Sequence, residues 1–159
     1  MQKESRWSNI KTIINNIKKD LKEHFAKPIE YEGKQIEDFI GILIKEAYEE
    51  NPKISYPAIE IQEIDNSENL QYSDNMGEQY SNLSYQITAY TRNIASMQAN
   101  EAVRLLGTEI NKVLGGKNYK MNRLGNPTIA PTITDNTILQ YNIRYSTVLS
   151  LHDNRLYKS

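Results

Sequence analysis

The stretch LSYQITAY, residues 83–90, and the stretch ASMQANEAVRLLGTEINKVLGG, residues 95–116, together decide how the chain folds. In the first, Leu83, Tyr85, Ile87 and Ala89 alternate with Ser84, Gln86 and Thr88, the period-two pattern of a strand with one buried face. In the second, apolar residues recur every three or four positions. Ala95, Ala99, Ala102, Val103, Leu106, Ile110, Val113 and Leu114 therefore share one side of a helix over 95–114. Gly115-Gly116 reads as its left-handed stop. Gly107 inside the helix costs about 1 kcal/mol against alanine, which points to a close packing contact there.

Working outward, Leu139, Tyr141, Ile143, Tyr145, Thr147 and Leu149 alternate with polar residues and predict a long strand over 137–149. A shorter strand is expected over 118–124. The Gly125-Asn126-Pro127 turn follows it, and Pro131 argues against a central strand there. His152-Asp153-Asn154 turns the chain into a final strand, Arg155-Leu156-Tyr157. Upstream, Tyr56 to Gln62 alternates, with Pro57 at the start. The polar run from Asp65 to Gln79 predicts a long loop or an extended hairpin arm.

Two helices are expected before these strands. Trp7, Ile10, Ile14, Ile17 and Leu21 form one stripe, and Pro28 ends the segment. Ile36, Phe39, Ile40, Leu43, Ile44 and Ala47 form the apolar face of a second helix over 35–48, ended by Asn51-Pro52. Glu32-Gly33-Lys34 turns between them. The expected fold class is thus α+β. A mostly antiparallel sheet of about four to five strands packs against one long amphipathic helix, with two additional N-terminal helices. It makes a single domain over 1–159, whose 1–52 part is helical and whose 53–159 part holds the sheet.

The 159 residues suit one domain, which at this size buries roughly 70% of the surface its unfolded chain exposes. Apolar residues make up 38%, charged residues 25%, and mean hydropathy is −0.67. No cysteine is present, so disulfide, thiolate and zinc–thiolate chemistry are excluded together. No apolar run reaches the roughly 18 residues of a membrane span. Eleven tyrosines against two phenylalanines favour half-wet surfaces and interfaces. Charge is uneven. Residues 1–27 hold seven basic and three acidic groups, residues 28–80 three basic and thirteen acidic, and residues 105–159 seven basic and three acidic. Such asymmetry can steer complementary surfaces together.

Motifs that carry chemistry are missing. His24 and His152 lack metal-ligand spacing, no G-x-S-x-G nucleophile turn occurs, and Gly115-Gly116-Lys117 follows a helix rather than a strand, the wrong order for a phosphate loop. Glu60, Glu63, Asp65, Glu68 and Asp74 do not fit a calcium loop. Lys18, Lys19 and Lys22 make a modest basic patch, but a pI near 6.2 is far from a nucleic-acid footprint. No catalytic, cofactor or metal residue is nominated, and the expectation is a protein that is not an enzyme.

The order of elements from Tyr56 to Tyr157 resembles the phage tail terminator (tail completion) family. The resemblance rests on the Tyr56-Pro57-Ala58-Ile59-Glu60-Ile61 strand, the long loop, the Leu83–Tyr90 strand, the Ala95–Leu114 helix, the long strand after it and Arg155-Leu156-Tyr157. It implies a structural virion protein whose copies form a ring, usually a hexamer. The ring caps the tail tube, stops its growth and receives a head-side connector protein, while DNA passes through the lumen without specific binding. No cofactor and no membrane are implied. The location would be the head-proximal end of the tail, with assembly in the host cytoplasm. On that reading Asp65, Glu68, Tyr72, Asp74, Met76 and Glu78 form a contact arm for the tail tube or a neighbouring subunit. Trp7, Lys18, Lys22, Arg144 and Arg155 contribute to the subunit interface. A head-closure or neck connector is the alternative, and a small bacterial enzyme or regulator a more distant one.

Overall fold

The computed structural model describes residues 6–47, 55–68, 80–115, 119, 121–133, 135–150 and 156–157. Helix α1 spans Arg6–His24, and buries Ile13, Ile17 and Leu21 at helical spacing, with Phe25 just past its end. Lys22 and His24 in the last turn face the negative end of its dipole. Pro28 then allows strand β1, Ile29–Tyr31, to pair antiparallel with β2, Lys34–Ile36. Glu32 and Gly33 between them both take positive φ, 50° and 77°, which is the two-residue turn that matches strand twist.

The second N-terminal helix expected over 35–48 does not form. Its place is taken by the end of β2, a turn over 37–41, and strand β3, Leu43–Glu46. Ile36, Phe39, Ile42 and Ile44 are buried, whereas Ile40 is 47% exposed. The helical spacing of the apolar residues was therefore coincidental. Gly41, at φ +76°, is the physical reason: a left-handed residue ends any helix there and lets the chain reverse into β3.

Strand β4, Ala58–Glu68, pairs with β5, Tyr80–Thr91, over its whole length, with a bulge between Glu63 and Asp65. Helix α2 spans Ala99–Leu114, four residues shorter at its start than expected. Residues 92–98 form a loop instead, and the Asn93 side chain accepts the Ala99 N–H at 2.8 Å, capping the helix from outside. The left-handed stop is not at Gly115, which has φ −79° and donates its N–H to Asn111 O. Strand β6 is Asn122–Pro131, β7 is Leu139–Ser150 and β8 is Leu156–Tyr157.

The larger sheet has six strands rather than four or five, ordered β3-β4-β5-β7-β6 with β8 beside the end of β7. It is mixed, because β3 runs parallel to β4 and every other pair is antiparallel. Among the described residues there are two helices, where three were expected. Strand β6 lies at the edge, as Pro131 requires, and absorbs Gly125-Asn126-Pro127 as a register shift between Leu124 and Thr128.

Both helices cover one face of the sheet. Ile59, Ile61, Leu83, Tyr85, Ile87, Ala89, Tyr141, Ile143 and Tyr145 point into this core, against Val103, Leu106 and Ile110 of α2. Burial of each such aliphatic side chain contributes about 1.5–3 kcal/mol. The contact predicted at Gly107 is present: a Cβ there would sit 2.3 Å from the Tyr141 ring.

Candidate assembly surfaces

The residues nominated for contact do not converge on one site. Asp65 and Glu68 lie in the last part of β4, paired with Ser84 and Ser81. The expected arm therefore begins as ladder. Tyr72, Asp74, Met76, Glu78 and Arg155 lie outside the described residues. Trp7 is in the first turn of α1, Lys18 is half-buried on that helix and Lys22 is exposed. Arg144 is on β7, exposed on the face of the sheet away from both helices, where its Nε donates to Gln86 Oε1 at 3.4 Å. Lys18 and Lys22 thus stand on one side of the sheet and Arg144 on the other.

Away from the helices the sheet presents a polar face. One row crosses five strands, through Lys45, Glu60, Thr88, Asn142 and Thr128. Lys45 Nζ is 3.3 Å from Glu60 Oε2, and Thr88 Oγ1 donates to Asn142 Oδ1 at 2.9 Å. Tyr90 reaches across to donate its hydroxyl to Glu60 Oε1 at 3.4 Å. Burial first, and then the Glu60 carboxylate, push the Tyr90 hydroxyl up to about 12. The next row holds Gln62, Gln86, Arg144 and Leu124.

At the end of the sheet where β4 starts, several loops lock onto one another. The Arg92 guanidinium lies 5.3 Å from the Tyr56 ring centroid and 3.2 Å from Asp135 Oδ2. Asp135 also accepts from the hydroxyl and backbone N–H of Thr137, and these bonds hold its carboxyl below the usual range. Asp38 ties the 37–41 turn to the loop before α2, accepting from Ser96 Oγ at 2.7 Å and from the Ala95 N–H at 3.2 Å. On this frame stands Ile133, whose side chain is fully exposed.

On the helical side, polar groups fasten elements rather than gather around a cavity. The buried Glu109 carboxylate is 2.8 Å from His24 Nε2 and 2.9 Å from Lys112 Nζ, joining α1 to α2. Tyr119 donates to the Asp20 carboxylate. Tyr31 donates to Glu101 at 2.8 Å, and that bond pushes its hydroxyl up to about 12. Among the described residues no group of three or more His, Asp or Glu side chains is placed to hold a metal ion. Among the described residues no helix is long and apolar enough to cross a membrane.

Neither known family models nor curated proteins match this chain. Its surfaces must therefore be read from their own chemistry. The alternation along β4, β5 and β7 shows which residues share a polar face, but which strands lie side by side is not written in any one segment. That is why the Lys45–Glu60–Thr88–Asn142–Thr128 row and the Arg92–Asp135 link were missed in the sequence.

Proposed function

We propose that the protein is a structural subunit of a phage virion, a tail terminator that forms a ring on the tail tube, ends tail growth and receives the head-side connector. The observation that best supports this reading is the one-sided build. Two helices close one face of a six-stranded sheet, and the other face carries a cross-linked row of polar side chains. A polar face with ordered hydrogen bonds suits protein–protein assembly, whose rims are polar and wet. The rigid loop frame around Arg92 and Asp135 lies at one end of this sheet, and the root of the acidic arm at the other. A ring that meets a tube on one side and a connector on the other needs two such distinct ends.

In this reading the protein carries out no bond-making step, and DNA passes through the ring without specific binding. The test is electron microscopy of tails assembled with and without the protein. We expect over-long or uncapped tubes without it, and rings at one tube end with it. Normal tail length in its absence would overturn the proposal. The arm is tested separately by replacing residues 69–79 with an Asn-Gly turn, which spares the β4–β5 ladder. The shortened protein should fold and fail to cap. Capture of a portal-side protein instead of tube protein would move the role to a neck connector.

A further inference from the structure

The backbone of the edge strand β6 has an inner and an outer side, and one hydrogen bond tells them apart. The Thr132 N–H, one residue past the end of the strand, donates to Ile138 O at 2.9 Å. In an antiparallel pair, residues bonded in this way alternate with residues whose N–H and C=O point away from the partner strand. Ala130, opposite Gln140, and Thr128, opposite Asn142, therefore turn their backbone groups toward β7. Pro131, opposite Leu139, and Ile129, opposite Tyr141, turn theirs outward. Pro127 is the next position on that outward side.

Among the described residues no strand lies beyond β6 on this side. Strand β8 joins the same edge of β7 only at Val148 and Leu149, past the end of β6. An open edge of this kind is a template on which another chain can add a strand. Here, however, the outward row is nearly without donors. Proline has no N–H, so of positions 127, 129 and 131 only Ile129 keeps one. An added strand would find its carbonyls opposite Pro127 and Pro131 unpaired, with ring carbons in place of the missing hydrogens. Toward the start of β6, Gly125 at φ +69° and the register shift between Leu124 and Thr128 break the line of the edge. At the opposite edge of the sheet, β3 is only four residues long, too short to template much pairing.

We propose that Pro127 and Pro131 close the β6 edge to strand addition, so that a second copy of this chain cannot extend the sheet there. Contacts with other copies are then made by side chains and loops. The proposal does not rest on the ring reading. It limits how ring subunits can join, and it holds equally for a chain that stays single.

The test uses full-length protein and amide hydrogen exchange followed by nuclear magnetic resonance. In the wild type the Thr128 and Ala130 amides should be protected, while the Ile129 amide exchanges freely at low and at high protein concentration. Protection of Ile129 that grows with concentration would show the edge in use and overturn the proposal, leaving the ring reading standing. The second arm is the double variant Pro127→Val with Pro131→Val, which restores both donors. It should self-associate about tenfold or more tightly than the wild type by light scattering, and gain protection at Ile129 as it does so. Circular dichroism melts check that it folds, and Pro131→Val alone serves if it does not. A folded variant that associates no better than the wild type would overturn the proposal. So would one that associates while its Ile129 amide still exchanges freely, because the contact would then lie elsewhere.

Discussion

Tyr85 carries the least expected side chain in the core. Its ring is fully buried beside Tyr145, yet its hydroxyl has no hydrogen-bond partner among the described residues, whereas Tyr145 donates to Asn111 Oδ1 at 3.2 Å. A buried polar group without a partner costs about 1–3 kcal/mol. Tyr85→Phe is therefore expected to be neutral or to stabilise by about 1 kcal/mol, read from the midpoint of denaturant unfolding. A loss above about 1 kcal/mol would mean that the hydroxyl has a partner after all. Gly107 gives the opposite case. Gly107→Ala should gain helix propensity yet destabilise by about 1–3 kcal/mol, because its Cβ would overlap the Tyr141 ring. The Gly107 contact was legible in the sequence, since a mid-helix glycine is a local anomaly. The unpaired Tyr85 hydroxyl was not, because a strand pattern reports that a side chain points inward and not what awaits it there.

Elements were legible where one periodicity had no rival. Helix α1, strands β5 and β7 and the body of α2 follow their patterns closely. The 35–48 segment did not, because Ile36, Phe39, Ile40, Leu43, Ile44 and Ala47 match a helix only if Gly41 is ignored. One left-handed residue outweighed six apolar ones, since backbone reversal is a steric matter and amphipathic spacing only a preference. The extent of β4 was hidden for another reason. Residues 63–68 look like loop, but a polar strand is stable when its partner, here β5, runs on beside it. The β6–β7 turn makes a test at this scale. Asp135→Ala removes the links to Thr137 and Arg92, and should raise amide exchange over 132–138. Unchanged exchange there would show that Asp135 does not hold the turn.

Across the whole molecule, five tyrosines respond to pH in the same direction. Tyr31 is pushed up to about 12 mainly by its bond to Glu101, and Tyr90 to about 12 mainly by burial. Tyr85, Tyr119 and Tyr145 are pushed up chiefly by burial. A raised folded value favours the neutral phenol, so this stability is complete below the unfolded value near 10 and is lost as pH rises toward 12. Unfolding midpoints should therefore fall steadily above about pH 10, with tyrosinate absorbance appearing together with loss of the fold. Tyrosinate that forms near 10 with the fold intact would contradict the packing described. The order of the sheet was the least legible property of all, because β5 and β7, 54 residues apart where Thr88 faces Asn142, meet only in three dimensions. That separation also sets a sequence of events during synthesis. The chain emerges N-terminus first, so β4 and β5 can zip together early, but the side of β5 that β7 will cover stays open until residues 139–150 have been made.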